Sequence, residues 1–118
     1  MNKNGGGVSL ATANSLYRAV PTIQNATPTA GQTVNITATS SDVVVWLTPA
    51  GTLATLTITL PSDSSTQIGQ IIRVATNQLI TLLTVNGATT LFNLPTTLSL
   101  GGNFNLLKVA ANTWVRVQ

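Results

Sequence analysis

The sequence predicts an all-β domain, an antiparallel β-sandwich or barrel of about eight short strands behind an extended N-terminal arm. Three observations carry that expectation. Apolar residues recur at every second position in several short runs, which is the period of a half-buried strand and not of a helix. Pro, Gly, Asn and Asp punctuate these runs about every ten residues, as turns do. The composition favours strands, with 21 threonines among 118 residues, and Thr is β-branched and supports an extended backbone without needing burial.

The first segment, residues 1–32, reads as an arm. It opens MNKNGGGVSL, and the run Gly5-Gly6-Gly7 is costly to order. A short apolar piece from Leu16 to Val20 ends at Pro21. The strand domain is expected over 33–118. Thr33 to Ala38 alternates, with Val34, Ile36 and Ala38 on one face. Val43 to Leu47 is apolar on both faces until Pro49 and Gly51 break it. Leu53 to Leu60 shows the clearest alternation, with Ala54, Leu56, Ile58 and Leu60 inward and three threonines outward. A polar loop follows Pro61, then a strand from Gln70 to Ala75. Leu79 to Val85 is again apolar on both sides and runs into Asn86-Gly87, a strong two-residue hairpin signal. Leu91-Phe92 and the Leu98 to Leu100 piece lead to Gly101-Gly102. A last hairpin pairs Phe104 to Val109 with Trp114 to Val117. No internal repeat stands out.

The same composition argues against catalysis. There is no histidine, cysteine or glutamate, and the two acids are Asp42 and Asp63. Nucleophilic and acid–base mechanisms need a proton carrier or an activated nucleophile. Both aspartates sit among turn residues, and Lys3 and Lys108 stand in no nucleophile motif. No metal or cofactor set is legible. The five basic residues are scattered, whereas nucleic-acid binding takes a basic patch. No apolar stretch is long enough to span a membrane as a helix. Charged residues are 6% of the chain and hydrophobic ones 43%, while ordinary domains are about a quarter charged. An exterior this poor in charge is either covered by partners or solvated by Thr, Asn, Ser and Gln instead of charges. A homo-oligomer is expected, with the doubly apolar strands supplying contacts through Val43, Val45, Ile80 and Leu82. Trp46, inside an apolar run, is expected in the core. Trp114 shares a strand face with Arg116 and is expected to be partly exposed, as a contact to a glycan or a partner, with Arg116 a partner contact beside it.

From about Ser41 onward the chain resembles a module of tailed-bacteriophage structural proteins. The segments that carry the resemblance are LTPAGTLATLTITLP, GQIIRVATNQLITLLTVNGATTL and LSLGGNFNLLKVAANTWVRVQ. Similar strings occur in head decoration (cement) proteins and at the ends of tail fibres and spikes. The resemblance implies a jelly-roll-like sandwich in a small symmetric oligomer, a trimer before a dimer, with a virion role without catalysis. It implies a decoration protein that is made in the host bacterial cytoplasm and binds the outer surface of the phage head at capsomer junctions. Its partner would be the major capsid protein. The first 40 residues lie outside the resemblance; from the Gly-rich arm itself, capsid contacts are expected at Asn2, Lys3, Asn4, Tyr17 and Arg18. The alternative is a receptor-binding fibre knob that recognises a bacterial glycan. Such knobs follow a stem, and Thr33 comes too soon after Met1 to leave room for one.

Overall fold

A computed structural model describes residues 20–37 and 41–118. Among the described residues nine strands form two sheets: β1 (Thr22–Ala26), β2 (Thr33–Asn35), β3 (Val43–Leu47), β4 (Leu53–Thr59), β5 (Ile71–Thr76), β6 (Ile80–Asn86), β7 (Thr90–Phe92), β8 (Asn103–Ala110) and β9 (Thr113–Arg116). A single 3-10 turn, Asp63–Ser65, lies between β4 and β5. The larger sheet has the order β1-β3-β5-β8-β9-β7 and the smaller one β2-β4-β6.

The chain is all-β, but it is not an antiparallel jelly roll. β1, β3 and β5 run parallel, as do β2, β4 and β6. From β1 to β6, odd strands enter the larger sheet and even strands the smaller. The backbone therefore winds through three stacked coils, each contributing one strand to each wall. This is a β-solenoid, in which each coil packs on its neighbours and buries a continuous core between them. One step of the coil takes Thr59 onto Asn86, 27 positions later. Another takes Asp42 to Ile71, 29 positions later. The antiparallel part is confined to the end, where β8 pairs with β5 and with β9.

Stacking places like residues in register. Val34, Ile58 and Val85 form an inward row of the smaller sheet. Val43 and Ile72 do the same in the larger sheet, beside Val45 and Val74. Leu47, Leu56, Ile80, Phe104, Leu106, Trp114 and Thr76 are fully buried as well. Burial of each such apolar side chain stabilises the fold by about 1.5–3 kcal/mol relative to exposure. The first coil is different, because its inward position is Gln24. The Gln24 amide Nε2 donates to Asn35 O at 2.8 Å, and its Oε1 accepts the Thr37 N–H at 2.8 Å. Hydrogen bonds thus join the two walls there, beside the apolar contacts of Ala26, Val34 and Ile36 with the core.

Two local expectations change. Asn86-Gly87 does not close a hairpin, since β6 pairs with β4 and β7 with β9. Gly87 has φ +101°, and a Cβ on it would lie 2.9 Å from both Leu60 N and Leu60 O. The glycine is required because the chain passes close over the previous coil. In β4, Leu53 and Leu56 are both buried while Ala54 and Thr55 are exposed. β6 repeats the pattern at Ile80, Thr81, Leu82 and Leu83. Strict alternation therefore breaks at the same point in both coils, and Ala54 turns outward instead of inward.

The final coil is closed. β8 covers the β5 edge. Ile80 and Leu98 exchange two backbone hydrogen bonds at 2.8 and 3.0 Å, and Leu83 N donates to Thr96 O at 2.8 Å, covering part of the β6 edge. The β8–β9 hairpin forms where the sequence predicts it, with a bulge between Lys108 and Ala110 and Asn112 at φ 52° in the turn. At the opposite end β1 and β2 have no further strand beside them among the described residues. β1 lies within the segment read from sequence as an arm, and it is hydrogen-bonded into the larger sheet.

Candidate interaction faces

The two walls present different outer surfaces. Outward residues of the smaller sheet form hydrogen-bonding rows, Thr33-Thr57-Thr84 and Asn35-Thr59-Asn86. The Thr59 hydroxyl donates to Asn86 Oδ1 at 2.8 Å. Leu82 interrupts this polar surface at 50% exposure.

The outer face of the larger sheet is apolar in its first row and mixed in the other two. Registered pairing builds it as three rows. The first is Ile71-Leu107-Val115-Phe92. The second is Ile23-Val44-Arg73-Asn105. The third is Asn25-Trp46-Ala75-Asn103. Ile23 is 55% exposed, Phe92 51% and Trp46 39%. Val117 adjoins Asn105, to which its N–H donates at 3.0 Å, and is also exposed. Scattered single apolar residues on a surface are ordinary, whereas a contiguous group marks a place where something binds.

Two formal charges belong to this face. Arg73 is exposed in the middle row and has no ion pair among the described residues. Asp42 is exposed just before β3, and its Oδ1 accepts the Ile71 N–H at 2.9 Å, which fixes it at the end of the first row.

The other aspartate does structural work inside the coil stack. Lys108 is 3% exposed. Its Nζ lies 2.7 Å from Asp63 Oδ1 and donates to Thr66 Oγ1 at 2.8 Å, to Asp63 O at 3.1 Å and to Thr66 O at 3.2 Å. Asp63 Oδ1 also accepts the Asn112 N–H at 2.7 Å. The hydrogen bond from Lys108, then that from Asn112, holds the Asp63 carboxyl below its ordinary pKa. A buried ammonium is tolerable because acceptors surround it. The pair ties the 3-10 turn after β4 to the terminal hairpin.

The candidate contact residues fall into three groups. Val43, Val45, Ile80 and Trp114 are 0–1% exposed and fill the chain's own core, so their side chains are not open to a partner. Trp114 loses its expected exposure because β9 lies between β8 and β7, which turns its inward face over the end of the core. Leu82 and Arg116 are on the surface. Asn2, Lys3, Asn4, Tyr17 and Arg18 lie outside the described residues. Sequence reasoning reversed the two tryptophans. Trp46, expected inside, is the exposed one, and its strand alternates Val43, Val45 and Leu47 inward with Val44 and Trp46 outward. The signal available was that period of two, which the unbroken apolar run concealed.

No group of three or more His, Cys, Asp or Glu side chains converges on a metal-sized site among the described residues. No helix there is long and apolar enough to cross a membrane. The chain matches no known family, no curated protein and no solved structure.

Proposed function

We propose that this chain is a non-enzymatic structural protein of a virion, a decoration protein that binds the outer surface of a phage head and stabilises it. The observation that carries the reading is the broad, partly apolar outer face of the larger sheet, in a chain with 5 basic and 2 acidic residues. Such a surface is suited to cover by protein. The virion assignment is supported by the resemblance of the three C-terminal segments to phage decoration and fibre proteins. A β-solenoid suits the role, because its coils stack into a rigid block that presents flat faces at fixed spacing. A symmetric oligomer seated on a capsomer junction ties several capsid subunits at once, and each contact raises the effective concentration for the next. The proposal assigns capsid contact to the N-terminal segment, through Asn2, Lys3, Asn4, Tyr17 and Arg18.

One observation favours a second reading, a fibre knob that recognises a bacterial glycan. Trp46 is exposed, with Asn25 beside it in one direction and Asn103 beyond Ala75 in the other. An aromatic face flanked by amides is suited to a sugar ring.

The purified protein added to phage heads that lack it separates the two. Stoichiometric co-sedimentation and a higher melting temperature of the heads are expected. Binding to host cells with none to heads would replace this reading with the second.

A further inference from the structure

We infer that the outer face of the larger sheet is a self-complementary interface that binds the same face of a second copy of this chain. The occupant is identified by charge. Within a partly apolar surface the face carries one cation, Arg73, and one anion, Asp42, which lies on the neighbouring strand and in the neighbouring row. A face that holds both members of an ion pair at different positions is its own complement under a twofold rotation. Arg73 of each copy then meets Asp42 of the other, as an isologous dimer requires. Among the described residues the remaining acid, Asp63, is already engaged by Lys108. Trp46, Ile23 and Phe92 supply the apolar contact, and aromatic and Arg side chains are the usual anchors of an interface.

The extent of the face sets the strength. Six strands spaced at ~4.8 Å and five residues long at ~3.3 Å per residue span a flat projection of about 400 Å². Doubled over two copies, this is about 800 Å², below the standard size and in the range of weak, transient contacts, so dissociation at about 100 micromolar or above is expected. The inference deepens the oligomer part of the proposed function and requires no capsid. Failure to bind phage heads leaves it intact, and a monomer that still binds heads overturns it alone.

The test is sedimentation equilibrium of the full chain from about ten micromolar to about one millimolar. Wild type is expected to move from one to two chain masses. Arg73→Asp sets like charges opposite one another and weakens dimerisation at least tenfold, and so does Trp46→Ala. Asp42→Arg combined with Arg73→Asp restores the pairs with the charges exchanged, and recovers most of the loss. Thermal unfolding of each variant confirms that it is folded, and Phe92→Ser, a second apolar substitution farther from Asp42, replaces any that is not. A wild type that stays monomeric throughout overturns the inference. So does dimerisation of Arg73→Asp as tight as wild type.

Discussion

At the scale of single residues, the structure assigns jobs that residue type alone leaves open. Gly87 is the clearest case. Its positive φ and its 2.9 Å approach to the Leu60 backbone leave no room for a side chain. Gly87→Ala is expected to cost more than about 2 kcal/mol in urea unfolding. Gly51→Ala, where nothing lies within 4 Å, should stay within about 0.5 kcal/mol of wild type. Asp63 is the second case. Its pKa is lower in the folded chain than the ordinary 3.8. The unfolded chain therefore binds the proton first as pH falls, and the stabilisation from Asp63 is present above that value and lost as pH drops through the folded pKa. Melting temperatures should be flat near neutrality and decline below about pH 4. Asp63→Asn should be less stable at neutral pH, because Lys108 loses its counter-charge, and should show a shallower acid decline. An unchanged acid profile in that variant would remove Asp63 from the account.

At the scale of elements, most strands were legible and their pairing was not. Period-two patterning marks Val43–Leu47, Leu53–Thr59 and Ile80–Asn86 as strands whichever way their neighbours run. Direction depends on the connections, and there the Asn86-Gly87 pair reads locally as a hairpin although its glycine serves the next coil. β1 was hidden because TIQNA has one large apolar residue, Ile23, and that residue points outward. A repeat was nevertheless present. Leu-Ala-Thr-Leu-Thr-Ile-Thr in β4 stacks on Ile-Thr-Leu-Leu-Thr-Val-Asn in β6 without a register break. Internal similarity at a period of 20–50 residues is the sign of a solenoid, but two short copies in a Thr-rich chain are faint. The shared break in alternation gives a direct test. Leu53→Ala should cost about 2–5 kcal/mol as a core truncation, and Ala54→Asp should stay within about 0.5 kcal/mol as a surface change. A simple alternating strand with Ala54 inward reverses that order. Equilibrium urea unfolding of the two variants decides it.

At the scale of the whole molecule, the arrangement is a short stack of coils with one end closed by β8 and the Leu98 bridge. Its two walls differ, with Thr and Asn rows on one and a partly apolar sheet face on the other. The sequence showed the shortage of charge. It did not show where the uncovered apolar surface lies, since that depends on which strands stand side by side. Val43, Val45 and Ile80 are as apolar as Ile23, Val44 and Trp46, and the coil alone decides which set faces outward. On the proposed reading, removal of residues 1–14 should weaken binding to phage heads at least tenfold while leaving the thermal unfolding of the solenoid in place. Equal affinity after the deletion moves the capsid contact elsewhere. The most direct measurement is the copy number of this chain in intact, purified virions by quantitative mass spectrometry. The account predicts many copies per particle, in fixed ratio to the major capsid protein. Its absence from particles, with the chain abundant in the infected cell, would contradict the account.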